Sequence, residues 1–300
     1  MTIQARDLRK RYGPVVAVDG LSFVARAGEV TGFVGPNGAG KSTTMRMLLG
    51  LDATDGGEAL IAGRRYQTLR EPARAVGALL DAEAVHPGRS GYHHLLWMAQ
   101  YNGIGRRRVR EVLDLVGLAA VGGQRVGGYS MGMRQRLGIA GALLGDPPVL
   151  ILDEPVNGLD PEGIRWIRGF LRSLAGEGRT VLVSSHLMSE LEDTADHLLV
   201  VGRGRLLADA PVEQLLTDAS GGQVTVRTTA RAEAVEALAN AGATVAVGRP
   251  GTLTVGGLEA ERIAAVLTAA GLPFSEIGRH RATLEEVYLD LTRFDGLESE

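Results

Sequence analysis

GPNGAGKST, at residues 35–43, follows the apolar run EVTGFVG (residues 29–35) and opens the helical pattern KSTTMRMLLG (residues 41–50). It matches the spacing G-x-x-x-x-G-K-[ST] in the strand, loop and helix context that this motif requires. The glycines let successive backbone N–H groups face a phosphate, and the N-terminus of the following helix adds the positive end of its dipole. The sequence therefore predicts a nucleotide-phosphate site at the end of a strand in an α/β fold.

Two side chains of this phosphate loop have roles beyond the backbone cradle. Lys41 is expected to reach the β and γ phosphates, and Ser42 offers a hydroxyl to Mg²⁺. The loop therefore predicts a nucleoside triphosphate with Mg²⁺ as its ligands. Its predicted nucleotide-binding residues are Gly35, Pro36, Asn37, Gly38, Ala39, Gly40, Lys41, Ser42 and Thr43.

A second apolar run, VLILDEP at residues 149–155, ends in two carboxylates. Asp153 is predicted to hold Mg²⁺, directly or through water, since carboxylate oxygens suit this ion. Glu154 is predicted to polarise the attacking water as general base. The two motifs together are compatible with many nucleotide hydrolases that use a phosphate loop.

Composition and charge exclude several classes of protein. The 300 residues include no cysteine, so a disulfide framework, a cysteine zinc site and a thiol nucleophile are excluded. The net charge of -3 gives no electrostatic reason for general binding to nucleic acid. No apolar stretch approaches the roughly 18–20 residues of a membrane span, and the N-terminus lacks the apolar core of a secretory signal. We expect a cytoplasmic protein with no nucleic-acid partner.

Short apolar runs alternate with helical patterns over most of the chain, as in an α/β domain with a largely parallel sheet. The strongest strand candidates are EVTGFVG (29–35), VGALL (76–80), VLILD (149–153) and TVLVSS (180–185). Residues 88–146 form a predicted helical insert, because their apolar residues recur at helical spacing. We therefore predict a nucleotide-binding domain over residues 1–217.

A small α+β domain is predicted over residues 223–300, after the linker-like SGG at residues 220–222. Its strand candidates are QVTVRT (223–228), TVAVG (244–248) and TLTVGG (252–257). Its helical patterns lie near residues 233–240, 259–269 and 283–292. Nothing in this domain resembles a catalytic constellation.

Further segments narrow the family. YSMGMRQRL at residues 129–137 resembles the signature sequence of ATP-binding cassette (ABC) proteins. NGLD at residues 157–160 resembles their D-loop, and SSH at residues 184–186 resembles the segment that carries their switch histidine. Tyr12, in RYG, occupies the place of their adenine-stacking aromatic residue. The six elements stand in the family's order between residues 12 and 186, so the resemblance is highly specific.

The resemblance implies a fold and a catalytic arrangement. The fold would be a phosphate-loop ABC cassette, with a RecA-like core, an antiparallel β edge and a helical subdomain at about residues 88–146. ATP would be the nucleotide, and the implied catalytic residues are Lys41, Glu154 and His186. His186 would contact the γ-phosphate and the attacking water.

The resemblance also implies a homodimer in which two chains pack head to tail. Each ATP would lie between the phosphate loop of one chain and the signature of the other. Ser130, Met131 and Gly132 would contact the partner chain's ATP, at the N-terminus of the signature helix. Asp160 would couple the two sites across the interface.

Two departures from the common family pattern fall on these residues. Met131 and Met133 stand where the usual LSGGQ has Gly and Gln. Asp81, in GALLD, stands where the Q-loop glutamine is usual. A carboxylate can still ligate Mg²⁺ but cannot donate an amide hydrogen bond, so we assign the metal-linked role to Asp81.

The chain resembles ATPase subunits of bacterial antibiotic or multidrug exporters of the daunorubicin-resistance type. The resemblance rests on these two departures, on HPGRSGYHHL (residues 86–95) and on ATLEEVYLDLT (residues 282–292). In that group the membrane permease is usually a separate polypeptide. The resemblance implies an ATPase held at the inner face of the cell membrane by such a permease. The C-terminal domain would be either an accessory docking or regulatory element or a plain structural one.

Two other functions stay open. A non-transport ABC ATPase acting on nucleic acid or ribosomes usually shows tandem cassettes or a long coiled-coil insertion, and neither is present in the sequence. A soluble switch or drug-sequestering resistance protein would not associate with membranes, so fractionation separates it from an exporter subunit.

Overall fold

The computed structural model describes residues 1–247, 251–280 and 282–294. The chain divides into two compact units: Met1–Val212, to which residues 291–294 are also assigned, and Glu213–Asp290. Within the described ranges, each helix is too short or too polar to cross a bilayer.

Nine strands and seven helices form the described part of the first unit. The strands are β1 (Ile3–Tyr12), β2 (Val15–Ala25), β3 (Val30–Val34), β4 (Gly56–Ile61), β5 (Val76–Leu79), β6 (Val149–Leu152), β7 (Thr180–Ser185), β8 (His197–Gly202) and β9 (Arg205–Pro211). The helices are α1 (Lys41–Leu48), α2 (Pro72–Ala75), α3 (Gly91–Tyr101), α4 (Arg106–Leu115), α5 (Met131–Ala142), α6 (Pro161–Gly176) and α7 (Met188–Glu192).

A six-stranded sheet in the order β5-β6-β7-β3-β8-β9 forms the centre of this unit. Its strands are parallel except for the antiparallel pair β8 and β9. Strands β3, β6 and β7 are buried along their whole length, which explains their uninterrupted apolar sequences. The four strongest strand predictions are confirmed as β3, β5, β6 and β7.

The parallel arrangement brings three predicted site segments to one edge of the sheet. Strand β7 lies between β6 and β3, and its register pairs Val183 with Leu152 and Ser185 with Val34. The segments that follow these strands are the phosphate loop, the Asp153–Glu154 pair and the switch-histidine segment. They meet because carboxyl ends of adjacent parallel strands point to the same side, where ligands bind in open α/β sheets.

A smaller antiparallel sheet in the order β2-β1-β4 shares the apolar core of the unit. Phe23 of β2 and Phe33 of β3 pack with ring centroids 5.6 Å apart. This sheet is the antiparallel β edge that the resemblance implies. It places Tyr12 at the end of β1.

The segment predicted as a helical insert forms three helices, α3, α4 and α5. Ser90 caps α3 and Ser130 caps α5, each hydroxyl accepting a hydrogen bond from the backbone N–H three residues later. The buried residues Val109, Val112 and Leu113 lie on one side of α4. The helical character of the insert is therefore confirmed.

The described residues of the second unit contribute to four strands and four helices. Its elements are α8 (Val212–Ser220), β10 (Val224–Thr228), α9 (Arg231–Asn240), β11 (Thr244–Val247), β12 (Thr252–Gly256), α10 (Ala260–Ala269), β13 (Phe274–Arg279) and α11 (Leu284–Phe294). The antiparallel order β11-β12-β10-β13, with one helix in each β-α-β crossover, is the ferredoxin-like split arrangement. Its core includes Val226, Leu238, Leu253, Ile263 and Leu267. The α+β class predicted for this part is confirmed.

Strand β13 was missed by the sequence interpretation. FSEIGR (residues 274–279) has polar and charged residues where an alternating strand would show apolar ones, and it is mostly exposed. It becomes a strand by pairing with β10, where Val226 lies opposite Ile277. A pairing partner distant in sequence leaves no local signal.

The domain boundaries themselves stay a prediction. Helix α8 continues into the SGG segment, and Ser220 accepts a hydrogen bond from the backbone N–H of Ala282 within the second unit. Three parts of the predicted domain, residues 248–250, 281 and 295–300, lie outside the described residues.

Candidate active site

The phosphate loop follows β3, and its last three residues, Lys41, Ser42 and Thr43, begin α1. Gly40 precedes the helix with φ 98°, a left-handed conformation, and a Cβ there would lie 2.4 Å from the carbonyl oxygen of Ala17. A Cβ on Gly35 would lie 2.3 Å from the carbonyl oxygen of Val201. Glycine is therefore required at both positions by close backbone approach.

The Lys41 side chain lies inside this loop and is only 6% exposed. Its Nζ donates to the carbonyl oxygens of Gly35, at 2.6 Å, and Pro36, at 3.2 Å. Burial lowers the pKa of Lys41, an effect opposed by the carboxylates of Glu154 and Asp153. The lysine is thus an ammonium removed from water beside the loop, an arrangement suited to an anionic ligand.

Asp153 and Glu154 follow β6 and are joined through one hydroxyl of β7. Ser184 Oγ donates to Asp153 Oδ1 and accepts from the backbone N–H of Glu154 at 2.8 Å. Glu154 has φ 50°, which is unusual for a residue with a side chain. This backbone geometry and the serine together set the direction of the glutamate.

The carboxylate of Glu154 contacts two other predicted site residues. Its Oε2 lies 2.8 Å from His186 Nδ1, and its Oε1 lies 3.9 Å from Lys41 Nζ. The structure therefore brings together the three residues implied to be catalytic. A carboxylate between an ammonium and an imidazole can accept a proton from water while the cation balances nearby negative charge.

The segment carrying His186 is anchored by a carboxylate that sequence analysis did not select. Ser185 Oγ donates to Glu190 Oε2 at 2.7 Å and accepts from the backbone N–H of Leu187 at 2.9 Å. Burial raises the pKa of Glu190, while the hydrogen bond from Ser185 lowers it. The contact fixes the turn on which His186 stands.

The signature residues lie at the N-terminus of α5 beside the D-loop. A Cβ on Gly132 would lie 3.2 Å from Leu159 Cδ2, and Met131 packs over Gly158. Asp160 caps α6, accepting from the backbone N–H of Gly163 at 2.8 Å. A groove of about 510 Å³ runs along this junction, lined by residues that include Ser130, Met131, Gly132 and Asp160. The structure thus brings the signature and D-loop together.

Tyr12 is 47% exposed, so its ring is accessible. Its hydroxyl donates to Asp52 Oδ2 at 2.7 Å. Hydrogen bonds from Arg46 and Tyr12 lower the pKa of Asp52 to about 2, so this acceptor stays ionised near neutral pH. The Asp52 hydrogen bond raises the pKa of Tyr12, while a contact with Thr43 lowers it. The hydroxyl of Tyr12 is therefore near Thr43, the last residue of the phosphate loop.

Asp81, the third predicted metal ligand, lies two residues after the end of β5. It is exposed, and its Oδ1 accepts from the backbone N–H of Glu83 at 2.7 Å. This bond stabilises its own turn. The metal-linked role of Asp81 stays a prediction, as do those of Ser42 and Asp153.

Gln135 is a site residue that the sequence interpretation missed. It is buried on α5, and its Nε2 donates to the backbone carbonyl oxygen of Glu154 at 3.0 Å. A signal for it existed, because Gln135 precedes Ile139 and Ala142 on one buried helical stripe. A polar residue in an apolar stripe indicates a partner in the core.

Comparisons with known proteins match both parts of the chain. The ABC transporter family matches residues 18–157, and a domain of unknown function matches residues 222–285. An uncharacterized ABC transporter ATP-binding protein, YhcH of Bacillus subtilis, is 44% identical over 210 residues, covering 68% of each chain. The bacitracin transport ATP-binding protein BcrA of Bacillus licheniformis is 42% identical over 216 residues, covering 71% of each chain.

Solved structures share the fold of the first unit. The structure of an ATP-binding subunit of an ABC transporter superposes with a TM-score of 0.66 at 26% identity, covering 73% of this chain and 93% of that one. The matched length, the sequence identity and the geometry of the phosphate loop all indicate the same family. The chain belongs to the ABC transporter family of ATP-binding, ATP-hydrolysing subunits.

Proposed function

We propose that this chain is the ATPase subunit of an ABC exporter, in which two copies close around ATP and drive a separate membrane permease. The observation that carries the proposal is the contact of Glu154 with both His186 and Lys41 beside the phosphate loop. The bacitracin transport subunit among its relatives supports an antibiotic, drug or other hydrophobic compound as cargo.

Within one chain, the proposed roles follow from the contacts. Lys41 binds the β and γ phosphates, and Glu154 accepts the proton of the attacking water while His186 orients water and γ-phosphate. Ser42, Asp153 and Asp81 supply oxygen ligands suited to Mg²⁺, which often binds through few protein ligands together with substrate phosphates. When bound, the ion would balance phosphate charge.

The second half of each site comes from the partner copy in this proposal. Ser130 caps the N-terminus of α5. The backbone N–H groups and the helix dipole at this end favour binding of the partner's γ-phosphate. Met131 and Gly132 pack against the D-loop that carries Asp160, so this loop responds to closure. A twofold homodimer completes two equivalent sites.

The proposed location is the cytoplasmic face of the cell membrane, with the permease as the anchor. To test this, the tagged chain is purified from gently solubilised native membranes with and without ATP, and co-purifying chains are identified by mass spectrometry. We expect a multi-helix membrane protein in stoichiometric amount. Recovery of ribosomal or DNA-bound partners, or of the chain alone from the soluble fraction, would contradict the exporter proposal.

The proposed adenine contact of Tyr12 gives a separate prediction. Tyr12→Ala is expected to weaken ATP binding about 5–150-fold, because stacking of a base on an aromatic ring is worth about 1–3 kcal/mol. Tyr12→Phe keeps the ring but loses the bond to Asp52, and we expect its affinity to stay within about threefold of the parent. Titration calorimetry measures both. Equal losses in the two variants would assign the effect to the hydroxyl and contradict stacking.

A further inference from the structure

The backbone of Glu154 is held from two sides by side chains of different elements. Its N–H donates to Ser184 of β7, and its carbonyl oxygen accepts from Gln135 of α5. Glu154 has φ 50°, a conformation that a residue with a side chain adopts only when its surroundings hold it there. Both hydrogen bonds therefore stabilise the backbone conformation of Glu154 that directs its carboxylate to His186.

The two contacts differ in what they connect. Ser184 belongs to β7 of the central sheet and is fully buried there. Gln135 belongs to the helix whose N-terminus carries Ser130, one and a half turns earlier. Backbone hydrogen bonds join the successive turns of an α-helix, which gives a displacement at Ser130 a direct path along α5 to Gln135.

We infer that Gln135 is a positioning residue that couples ATP contact at the N-terminus of α5 to the placement of Glu154 in the same chain. The inference rests on the proposed function, because it needs the signature helix to contact the partner's ATP. Nucleotide bound mainly by one chain would thereby align the general base that acts on the other nucleotide. The two sites of the dimer would hydrolyse ATP cooperatively through this hydrogen bond.

A purely structural role for Gln135 predicts a different result. The amide is 4% exposed, so loss of its bond leaves a buried carbonyl without that partner and lowers stability. In that case thermal stability and ATP affinity fall together with turnover. A positioning role acts on turnover, since small misplacement of a catalytic group costs up to about 10²-fold in rate.

The test compares Gln135→Met and Gln135→Glu with Gln100→Met in the full-length chain. The first two remove the amide donor at nearly constant size, and the third makes the same replacement at an exposed position of α3. We expect kcat to fall about 10–100-fold in both Gln135 variants, with the Kd for ATP within about twofold of the parent. Unchanged kcat, or a parallel loss of ATP affinity and melting temperature in both variants, would overturn the inference.

A double-mutant cycle separates coupling from two independent losses. Ser130→Ala disturbs the ATP-contacting end of the helix, and Ser90→Ala removes the matching cap of α3 as its control. If Gln135 transmits the effect of ATP contact at Ser130, the double variant Ser130→Ala, Gln135→Met loses no more than about twofold in kcat beyond the larger of the two single losses. Losses that multiply would overturn the coupling.

The same experiments separate this inference from the proposed function. A parent protein that binds ATP, forms an ATP-dependent dimer and hydrolyses ATP satisfies the underlying dimer mechanism, whatever the Gln135 variants do. If the parent hydrolyses ATP without dimerising, the dimer mechanism is wrong. Ser130 of one chain then does not contact the partner's nucleotide.

Discussion

Replacing Glu154 with Gln is expected to reduce ATP hydrolysis by about 10²–10⁴-fold while ATP binding is retained. The amide keeps the size of the side chain and can still contact His186, which lies 2.8 Å from the carboxylate in the parent. It cannot accept the proton of the attacking water. The ATP-bound dimer therefore forms but is not released by hydrolysis.

The expected consequence is accumulation of an ATP-bound dimer, measured by light scattering after incubation with ATP and Mg²⁺. Phosphate release measures the loss of turnover on the same sample. Glu177→Gln, near the C-terminal end of α6, makes the same replacement away from the site and is expected to behave like the parent. Parent-like turnover, or monomers alone at saturating ATP, would refute the role of Glu154.

Replacing Lys41 with Ala is expected to weaken nucleotide binding about 10²-fold or more, because hydrogen bonds to charged groups contribute about 1.5–3 kcal/mol each. The lysine is buried in the phosphate loop, so its charge is screened little by solvent and salt. Its cationic nitrogen is held by Gly35 and Pro36 at the point where phosphates are proposed to bind. Hydrolysis should fall with binding, in contrast to Glu154→Gln.

Titration calorimetry with ATP in the presence of Mg²⁺ measures this loss. Arg6→Ala, which removes an exposed cation of β1, tests whether general positive charge contributes. We expect the control to keep the parent's affinity, because an exposed charge is screened by solvent and salt. ATP affinity in Lys41→Ala equal to that of the parent would exclude Lys41 from phosphate binding.

The structure explains which elements the sequence predicted and which it did not. Strands β3, β6 and β7 are buried on both faces, so their unbroken apolar runs are visible locally. Strand β13 depends on β10, a partner some fifty residues earlier, and its exposed polar residues show no pattern. Secondary structure set by burial was predictable, whereas an edge strand set by distant pairing was not.

The residues of the candidate site divide in the same way. Lys41 lies in a contiguous motif whose function depends on local backbone geometry, and Glu154 follows a recognisable strand. The role of Gln135 depends on a hydrogen bond to a residue nineteen positions away, and that of Ser184 on one thirty positions away. The type of either residue does not by itself indicate which residue it contacts.

By itself the sequence determined the phosphate loop, the carboxylates after β6 and the family, because each is encoded by neighbouring residues with a required spacing. Only the tertiary structure decided that His186, Lys41 and Gln135 all reach Glu154. Those contacts arise from the order of strands in the sheet and the packing of α5 against it. Such order is set by the burial of the whole core, which no short segment specifies.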